Sequence, residues 1–197
     1  MTARSLVLAS ASPARLRLLR EAGFEPTVTV SGFDEDSLRI DDPRELVEQL
    51  AVRKAQVVAG QQTDALVIGC DSMLLFDGDI LGKAASPEQV VERWRRLRGN
   101  EGVLLTGHCV VDTATGAMVS AVAETTVLFG TPDDDEIAAY SETDEALAVA
   151  GPFTIDGRAS AFVAGIDGDA GNVIGISLPL LRELLAKLGV RVTDLWS

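Results

Sequence analysis

The chain has 197 residues, of which 47% are hydrophobic and 24% are charged, so it can build a folded core and is not a generally disordered protein. Its formal net charge of −13 argues against an extended nucleic-acid surface, which would need clustered Lys and Arg. A phosphate-bearing small molecule stays possible, because a pocket needs only a few converging cations. The apolar run near the start covers only residues 6–11 and no run approaches membrane-spanning length, so we expect neither a signal peptide nor contact with a membrane.

The scarcity of histidine and cysteine limits the chemistry further. His108 is the only histidine, which excludes a zinc site built on several histidines and most His-based triads. Cys70 and Cys109 are the only cysteines, and they lie in apolar strand-like runs without forming a CxxC pair. This predicts buried, reduced thiols and a cytoplasmic protein.

Strand-like segments alternate with helix signals along the chain, which predicts an α/β protein. A chain of this length can form one domain or two small lobes that share a core, and we predict a single domain over residues 1–197. Helix starts are read from Ser-Pro and Asp-Pro caps, helix ends from glycine, and the hairpin from Asp77-Gly78. The predicted elements are, in order, a strand 5–10, a helix 12–22, a strand 27–30, a helix from 41–43 to 59, a strand 65–70, a hairpin 73–81, a helix 86–97, two long strands 103–111 and 118–129, a helix from 131–132, a Gly-rich stretch 150–175 with short strands, and a helix 179–188.

Two cations interrupt the apolar faces of the first two predicted helices. Arg15 falls in the middle of the apolar arc of its helix, and Lys54 lies near the centre of the apolar stripe of the next one. A buried, unpaired cation costs several kcal/mol, so each side chain must snorkel to water, pair with a carboxylate or face a polar cavity. Two such residues in one short chain favour a shared anion site, with snorkelling or structural ion pairs as the alternatives.

The turn before the first helix has the features of a phosphate site. A strand leads through Ser10-Ala11-Ser12 into the helix N-terminus, which offers backbone N–H groups, two hydroxyls and a favourable dipole. Ser-x-Ser-Pro is also an ordinary N-cap, and this alternative stays open.

Two carboxylates are candidates for holding a divalent metal. Asp71 directly follows the predicted strand 65–70, and ligands collect at the carboxyl ends of strands in α/β sheets. Glu35 is the second candidate, and two carboxylates with several cations fit Mg²⁺-assisted phosphoryl chemistry. Lys83 follows the predicted hairpin, where Gly82 would let the backbone approach a ligand; an exposed loop lysine is the alternative.

Short motifs follow one another along nearly the whole chain. They are LASASPAR, Asp34-Glu35, Val52-Arg53-Lys54-Ala55, Gly69-Cys70-Asp71-Ser72, Gly82-Lys83, Thr106-Gly107, Tyr140, Ala150-Gly151, Gly168-Asp169, Asn172-Val173-Ile174-Gly175 and Leu178-Pro179-Leu180. No single motif is diagnostic, but in this order and spacing they resemble those of the Maf family of nucleoside triphosphate pyrophosphatases.

This resemblance implies a fold, a reaction and a set of site residues. The implied fold is an α/β protein with a mixed, twisted sheet, flanking helices and two lobes around a central cleft, similar to the inosine triphosphatase fold. The implied reaction is metal-dependent hydrolysis of a nucleoside triphosphate to monophosphate and pyrophosphate, with Mg²⁺ or Mn²⁺, in a cytoplasmic protein that can form a homodimer. Asp71 would be the catalytic carboxylate, as proton acceptor or metal ligand, and Glu35 would help to hold the metal. The residues implied around the triphosphate are Ser10, Ser12, Arg15, Lys54 and Lys83.

The sequence departs from the family pattern at three positions implied in base recognition. Many relatives have Arg where this chain has Ala14, Thr where it has Ser72, and Gln or Glu where it has Asp156. The chain therefore matches neither the thymidine/uridine-type nor the methylguanosine-type subgroup. An ionised Asp156 offers only acceptors, so we expect it to favour a base edge that presents N–H donors, with metal binding as the alternative.

Two other functions are open from the sequence. The first is a regulator of cell division that senses nucleotides without turning them over, although a sensor has no need for a carboxylate near the phosphates. The second is a pyrophosphatase on a related fold that removes deaminated purine nucleotides, which shares the chemistry but not these motifs.

Overall fold

The computed structural model describes residues 4–197, and helices flank a sheet of seven strands. The strands are β1 (Ser5–Leu8), β2 (Thr27–Val28), β3 (Ala65–Phe76), β4 (Asp79–Leu81), β5 (Glu101–Asp112), β6 (Met118–Phe129) and β7 (Val163–Asp167). The α-helices are α1 (Pro13–Glu21), α2 (Pro43–Ala59), α3 (Pro87–Leu97), α4 (Asp134–Ser141), α5 (Asp144–Ala148), α6 (Ala170–Ile174) and α7 (Leu178–Lys187). Short 3₁₀ helices cover Glu35–Ser37, Arg158–Phe162 and Val192–Leu195.

The sheet is mixed, as predicted. Its strand order is β2-β1-β3-β5-β6-β7, and β4 pairs with β3. β1 runs parallel to both β2 and β3, whereas the β3–β4 and β6–β7 pairs are antiparallel. Among residues 4–197, no helix is long and apolar enough to cross a membrane.

The chain divides into two compact units, each with its own core. The first consists of the chain up to Asp71 together with Thr106–Ala123 and Gly175–Ser197, and the second consists of Ser72–Leu105 and Glu124–Ile174. In the first unit alternate residues of β1 enter two different apolar clusters, because this strand is covered on both faces. In the second unit the fully buried Trp94 makes edge-to-face ring contacts with Phe129, Tyr140 and Phe162.

The third strand is longer than predicted. We expected it to end at residue 70, before Asp71, but β3 continues to Phe76 and joins the first arm of the predicted hairpin. Asp71 therefore lies inside a strand and not directly after one. It still lies beyond the parallel pairing with β1, which ends at the Leu8–Ile68 pair. The polar side chain is accommodated there because it has an ion-pair partner.

Helix α2 lies unusually close to the sheet of the first unit, at two glycines. A Cβ atom on Gly69 of β3 would lie 2.2 Å from the carbonyl oxygen of Ala51, and one on Gly107 of β5 would lie 2.0 Å from that of Val47. No real Cβ atom occupies such a position, so only glycine permits this approach. The result is that the side chains of α2 reach the strand that carries Asp71.

Replacing Gly107 by alanine should therefore destabilise the protein strongly. The added methyl group meets backbone atoms, which cannot move aside as a side chain can, so we expect a loss of about 3 kcal/mol or more in the free energy of unfolding. Gly60→Ala is the matched control, because a Cβ there would make only ordinary contacts at 3.7 Å. Chemical denaturation of both variants tests this, and equal stabilities would contradict the close approach.

Candidate active site

A lysine ammonium lies between two carboxylates in the first unit. Lys54 Nζ is 2.5 Å from Asp71 Oδ1 and 2.6 Å from Glu35 Oε1. Helix α2 supplies the lysine, β3 supplies Asp71, and the 3₁₀ helix Glu35–Ser37 supplies Glu35. The side chains of Lys54 and Asp71 are 11% and 9% exposed, whereas that of Glu35 is 52% exposed. Lys54 is thus buried as its position in the helical pattern predicted, and it pairs with two carboxylates.

The burial of Asp71 determines its proton affinity. Loss of water around the carboxylate raises the pKa of Asp71 above its ordinary value, and the charge and hydrogen bond of Lys54 lower it again in part. The charge of Arg15 also lowers this pKa, whereas the charge of Glu35 raises it. A carboxylate with a raised pKa is a better proton acceptor than an exposed aspartate, which suits a general base.

The second buried cation, Arg15 of α1, is held by oxygen atoms from three places in the chain. Its Nε donates to the carbonyl oxygen of Gly175 at 2.7 Å. Its Nη1 donates to Ser10 Oγ at 2.9 Å and to the carbonyl oxygen of Cys70 at 3.0 Å. Cys70 directly precedes Asp71, so these bonds fix the guanidinium beside the candidate catalytic carboxylate.

The two predicted phosphate-binding serines form the turn that leads into α1. Ser10 Oγ accepts hydrogen bonds from Arg15 Nη1 and from the backbone N–H of Ser12. Because a hydroxyl has two acceptor sites and one donor, this leaves the Ser10 O–H to act as a donor. Ser12 is the N-cap of the helix and accepts from the N–H of Arg15, which is the N-cap alternative that the sequence left open. Ala14 lies in the first turn of the same helix.

The other predicted residues, Ser72, Lys83 and Asp156, belong to the second unit. Lys83 is exposed and forms an isolated antiparallel bridge with Ala150. Asp156 is exposed and lies in the turn that precedes the 3₁₀ helix Arg158–Phe162.

Glu145 organises the turn around Asp156. Its carboxylate accepts hydrogen bonds from Thr154 Oγ1 at 3.0 Å and from the backbone N–H groups of Arg158 and Ala159 at 2.9 and 3.2 Å. These bonds outweigh the effect of burial, and the net result is a lowered pKa of Glu145. A Cβ atom on Gly157 would lie 2.4 Å from Glu145 Oε2, so a larger residue there would displace this carboxylate.

Neither cysteine is suited to nucleophilic chemistry. Burial raises the pKa of Cys70 to about 11 and that of Cys109 to about 12, so both are thiols at neutral pH. This agrees with the prediction of buried, reduced thiols, and both cysteines are free.

The carboxylates of Glu35 and Asp71 fit a divalent cation. Their oxygens already converge on one cationic group, the Lys54 ammonium, so the geometry suits positive charge. Within residues 4–197 no cluster of three or more His, Cys, Asp or Glu side chains could hold a metal by itself. Mg²⁺ is commonly bound by one or two carboxylates together with substrate phosphates, and this is the kind of site that two acids can form.

Comparison with known proteins adds an independent observation. A family model described as "Maf-like protein" matches residues 5–188. A relative from Streptomyces avermitilis is 58% identical over 196 residues, which cover 98% of this chain and 95% of the relative. Relatives from Streptomyces coelicolor and from a Synechococcus species are 59% and 50% identical, with coverage of 95% or more of each chain. All three are named nucleoside triphosphate pyrophosphatase.

Lys54→Met should destabilise the protein because it leaves the buried Asp71 charge without its closest partner. We expect a loss of about 3–5 kcal/mol in the free energy of unfolding at neutral pH. The double variant Lys54→Met/Asp71→Asn should recover much of that loss, since it removes the uncompensated charge. Arg53→Met, at an exposed neighbouring position on α2, is the control.

Denaturation curves for these variants form a double-mutant cycle. Additive losses from Lys54→Met and Asp71→Asn would show that the two side chains are not coupled, against the contact described above.

Proposed function

Because the chain belongs to the Maf family, we propose that it hydrolyses a nucleoside triphosphate to the monophosphate and pyrophosphate. The observation that carries this proposal is the grouping of Asp71, Glu35, Lys54 and Arg15, two acids and two buried cations, in the first unit. The names of the relatives support the same reaction. No observation favours a sensor that binds nucleotides without turnover.

The chain's own residues can carry the central chemical step. Asp71 orients a water molecule and takes its proton as the water oxygen attacks the α-phosphorus. The bond between the α-phosphorus and the oxygen that bridges to the β-phosphorus breaks, and pyrophosphate leaves with that electron pair. Arg15 and Lys54 offset the negative charge that develops on the phosphate oxygens. Such a transfer depends mainly on positioning and electrostatics and needs no nucleophilic side chain. This fits a site in which both cysteines are protonated thiols.

Glu35 and Asp71 would hold Mg²⁺ or Mn²⁺ together with phosphate oxygens. When bound, the metal would supply positive charge that polarises the phosphate and lowers the pKa of water. A metal there would compete with the Lys54 ammonium for the carboxylate oxygens, and a displaced ammonium would be available to a phosphate.

The remaining assignments rest on the family resemblance. We propose that Ser10 and Ser12 contribute donors to phosphate, that Lys83 adds a further cation, and that Ala14, Ser72 and Asp156 take part in base recognition. A cytoplasmic location and a homodimer are proposals of the same kind.

The purified protein should release pyrophosphate and a nucleoside monophosphate from a nucleoside triphosphate, and it should do so only when a divalent metal is present.

Asp71→Asn should lower this turnover by roughly two orders of magnitude or more. Asparagine keeps the shape of the side chain but cannot accept the proton. Asp64→Asn, an exposed acid just before β3, is the control and should keep full activity. Chromatography of the products tests both parts. Orthophosphate with the diphosphate would mean that another bond is cut, and binding without turnover would favour the sensor.

Glu35→Gln should weaken metal binding while leaving the fold intact. The half-exposed Glu35 lies at the outer end of the ion-pair group, so Lys54 and Asp71 still pair without it. We expect Mn²⁺ to bind about tenfold more weakly in the presence of a non-hydrolysable triphosphate, since one carboxylate ligand is lost. Electron paramagnetic resonance of Mn²⁺ measures this without turnover, with the exposed neighbour Asp36→Asn as control. Unchanged affinity would remove Glu35 from the metal site.

A further inference from the structure

The only histidine of the chain is completely buried in the first unit and hydrogen-bonded through both ring nitrogens. His108 Nε2 lies 2.8 Å from the backbone nitrogen of Ser177, which is the N-cap of α7. Because that nitrogen can only donate, Nε2 must be the acceptor. Nδ1 therefore carries the proton and donates to the carbonyl oxygen of Thr106 at 2.9 Å. The contacts thus select the neutral Nδ1–H form of the ring.

The segment held by this histidine also holds Arg15. Gly175, two residues before Ser177, accepts the hydrogen bond from Arg15 Nε at 2.7 Å. Gly175 has a φ angle of +132°, and a Cβ atom there would lie 3.3 Å from Arg15 Nε. Glycine therefore lets the backbone of this turn lie close to the Arg15 side chain. Any shift of this turn moves the acceptor on which the orientation of Arg15 depends.

We infer that His108 is a positioning residue for Arg15: its imidazole fixes the Gly175–Ser177 turn, and the turn fixes the guanidinium next to Asp71. The chain of contacts runs from Thr106 through His108 and Ser177 to Gly175 and Arg15, and it ends at the Cys70 carbonyl beside Asp71. The catalytic consequence of this inference rests on the proposed function, but the effect on the orientation of Arg15 does not.

Two amide substitutions at His108 test its two hydrogen bonds separately. In His108→Gln the longer side chain can place its oxygen where Nε2 was and accept from Ser177. In His108→Asn the shorter side chain can reach only the Thr106 side. Both bury an amide in the same place, so a purely structural role predicts similar effects for the two. Ser177→Ala is the control for weakening of α7, because it removes the cap hydroxyl that accepts from Leu180 but keeps the N–H group.

The first readout is the Arg15 Nε–H signal in the nuclear magnetic resonance spectrum, identified by its loss in Arg15→Lys. We expect it to be protected from exchange with water in the original protein, in His108→Gln and in Ser177→Ala, and to exchange faster in His108→Asn. If His108→Asn does not fold, Gly175→Ala disturbs the next contact of the chain and should give the same faster exchange. An unchanged Arg15 signal in the folded variants would overturn the inference.

The second readout is catalytic. We expect kcat/KM per folded molecule to fall about tenfold in His108→Asn and to stay within about threefold in His108→Gln. In an Arg15→Lys background, His108→Asn should cause no further loss, because its effect passes through Arg15. Equal losses in the Asn and Gln variants, or full additivity with Arg15→Lys, would overturn the inference. If the original protein releases no pyrophosphate, the proposed function fails, and the Arg15 signal alone decides the role of His108.

Discussion

The Lys54 ammonium, shared between two carboxylates, is the interaction on which the rest of the site depends. A buried lysine is costly unless it is paired, and a buried aspartate is costly for the same reason, so each side chain makes the burial of the other possible. The close approach of α2 to the sheet, permitted by Gly69 and Gly107, brings the two groups together. The pair is therefore a product of helix packing as much as of electrostatics.

A second buried cation, Arg15, lies close to the first. Arg15 is held by hydroxyl and carbonyl oxygens, whereas Lys54 is held by carboxylates. The fixed guanidinium contributes positive charge near Asp71. We propose that the lysine exchanges one of its carboxylate partners for a phosphate oxygen when a triphosphate binds. This division suits a hydrolase whose work is mainly to place a water molecule and to neutralise phosphate charge.

Helical periodicity made the two buried cations predictable, because residue spacing fixes which face of a helix a side chain occupies. The length of β3 was not predictable, because a charged residue after an apolar run indicates the end of a strand. Asp71 continues the strand because Lys54 of α2 pairs with it, and the local sequence does not show this pairing. The roles of Gly175 and His108 were not predictable for another reason. Their contacts join residues far apart in the chain, such as Arg15 and Gly175, and no local pattern encodes which carbonyl will meet which donor. The order of the motifs was enough to identify the family. The geometry of the site depends on contacts between distant parts of the chain, and only the structure shows these contacts.

Hydrolysis in water enriched in oxygen-18 tests the central claim most directly. If water attacks the α-phosphorus, one labelled oxygen will appear in the nucleoside monophosphate and none in the pyrophosphate. Mass spectrometry of the two products distinguishes the outcomes. Label in the pyrophosphate would mean attack at the β-phosphorus, and labelled orthophosphate would mean attack at the γ-phosphorus; either result would contradict the mechanism built on Asp71.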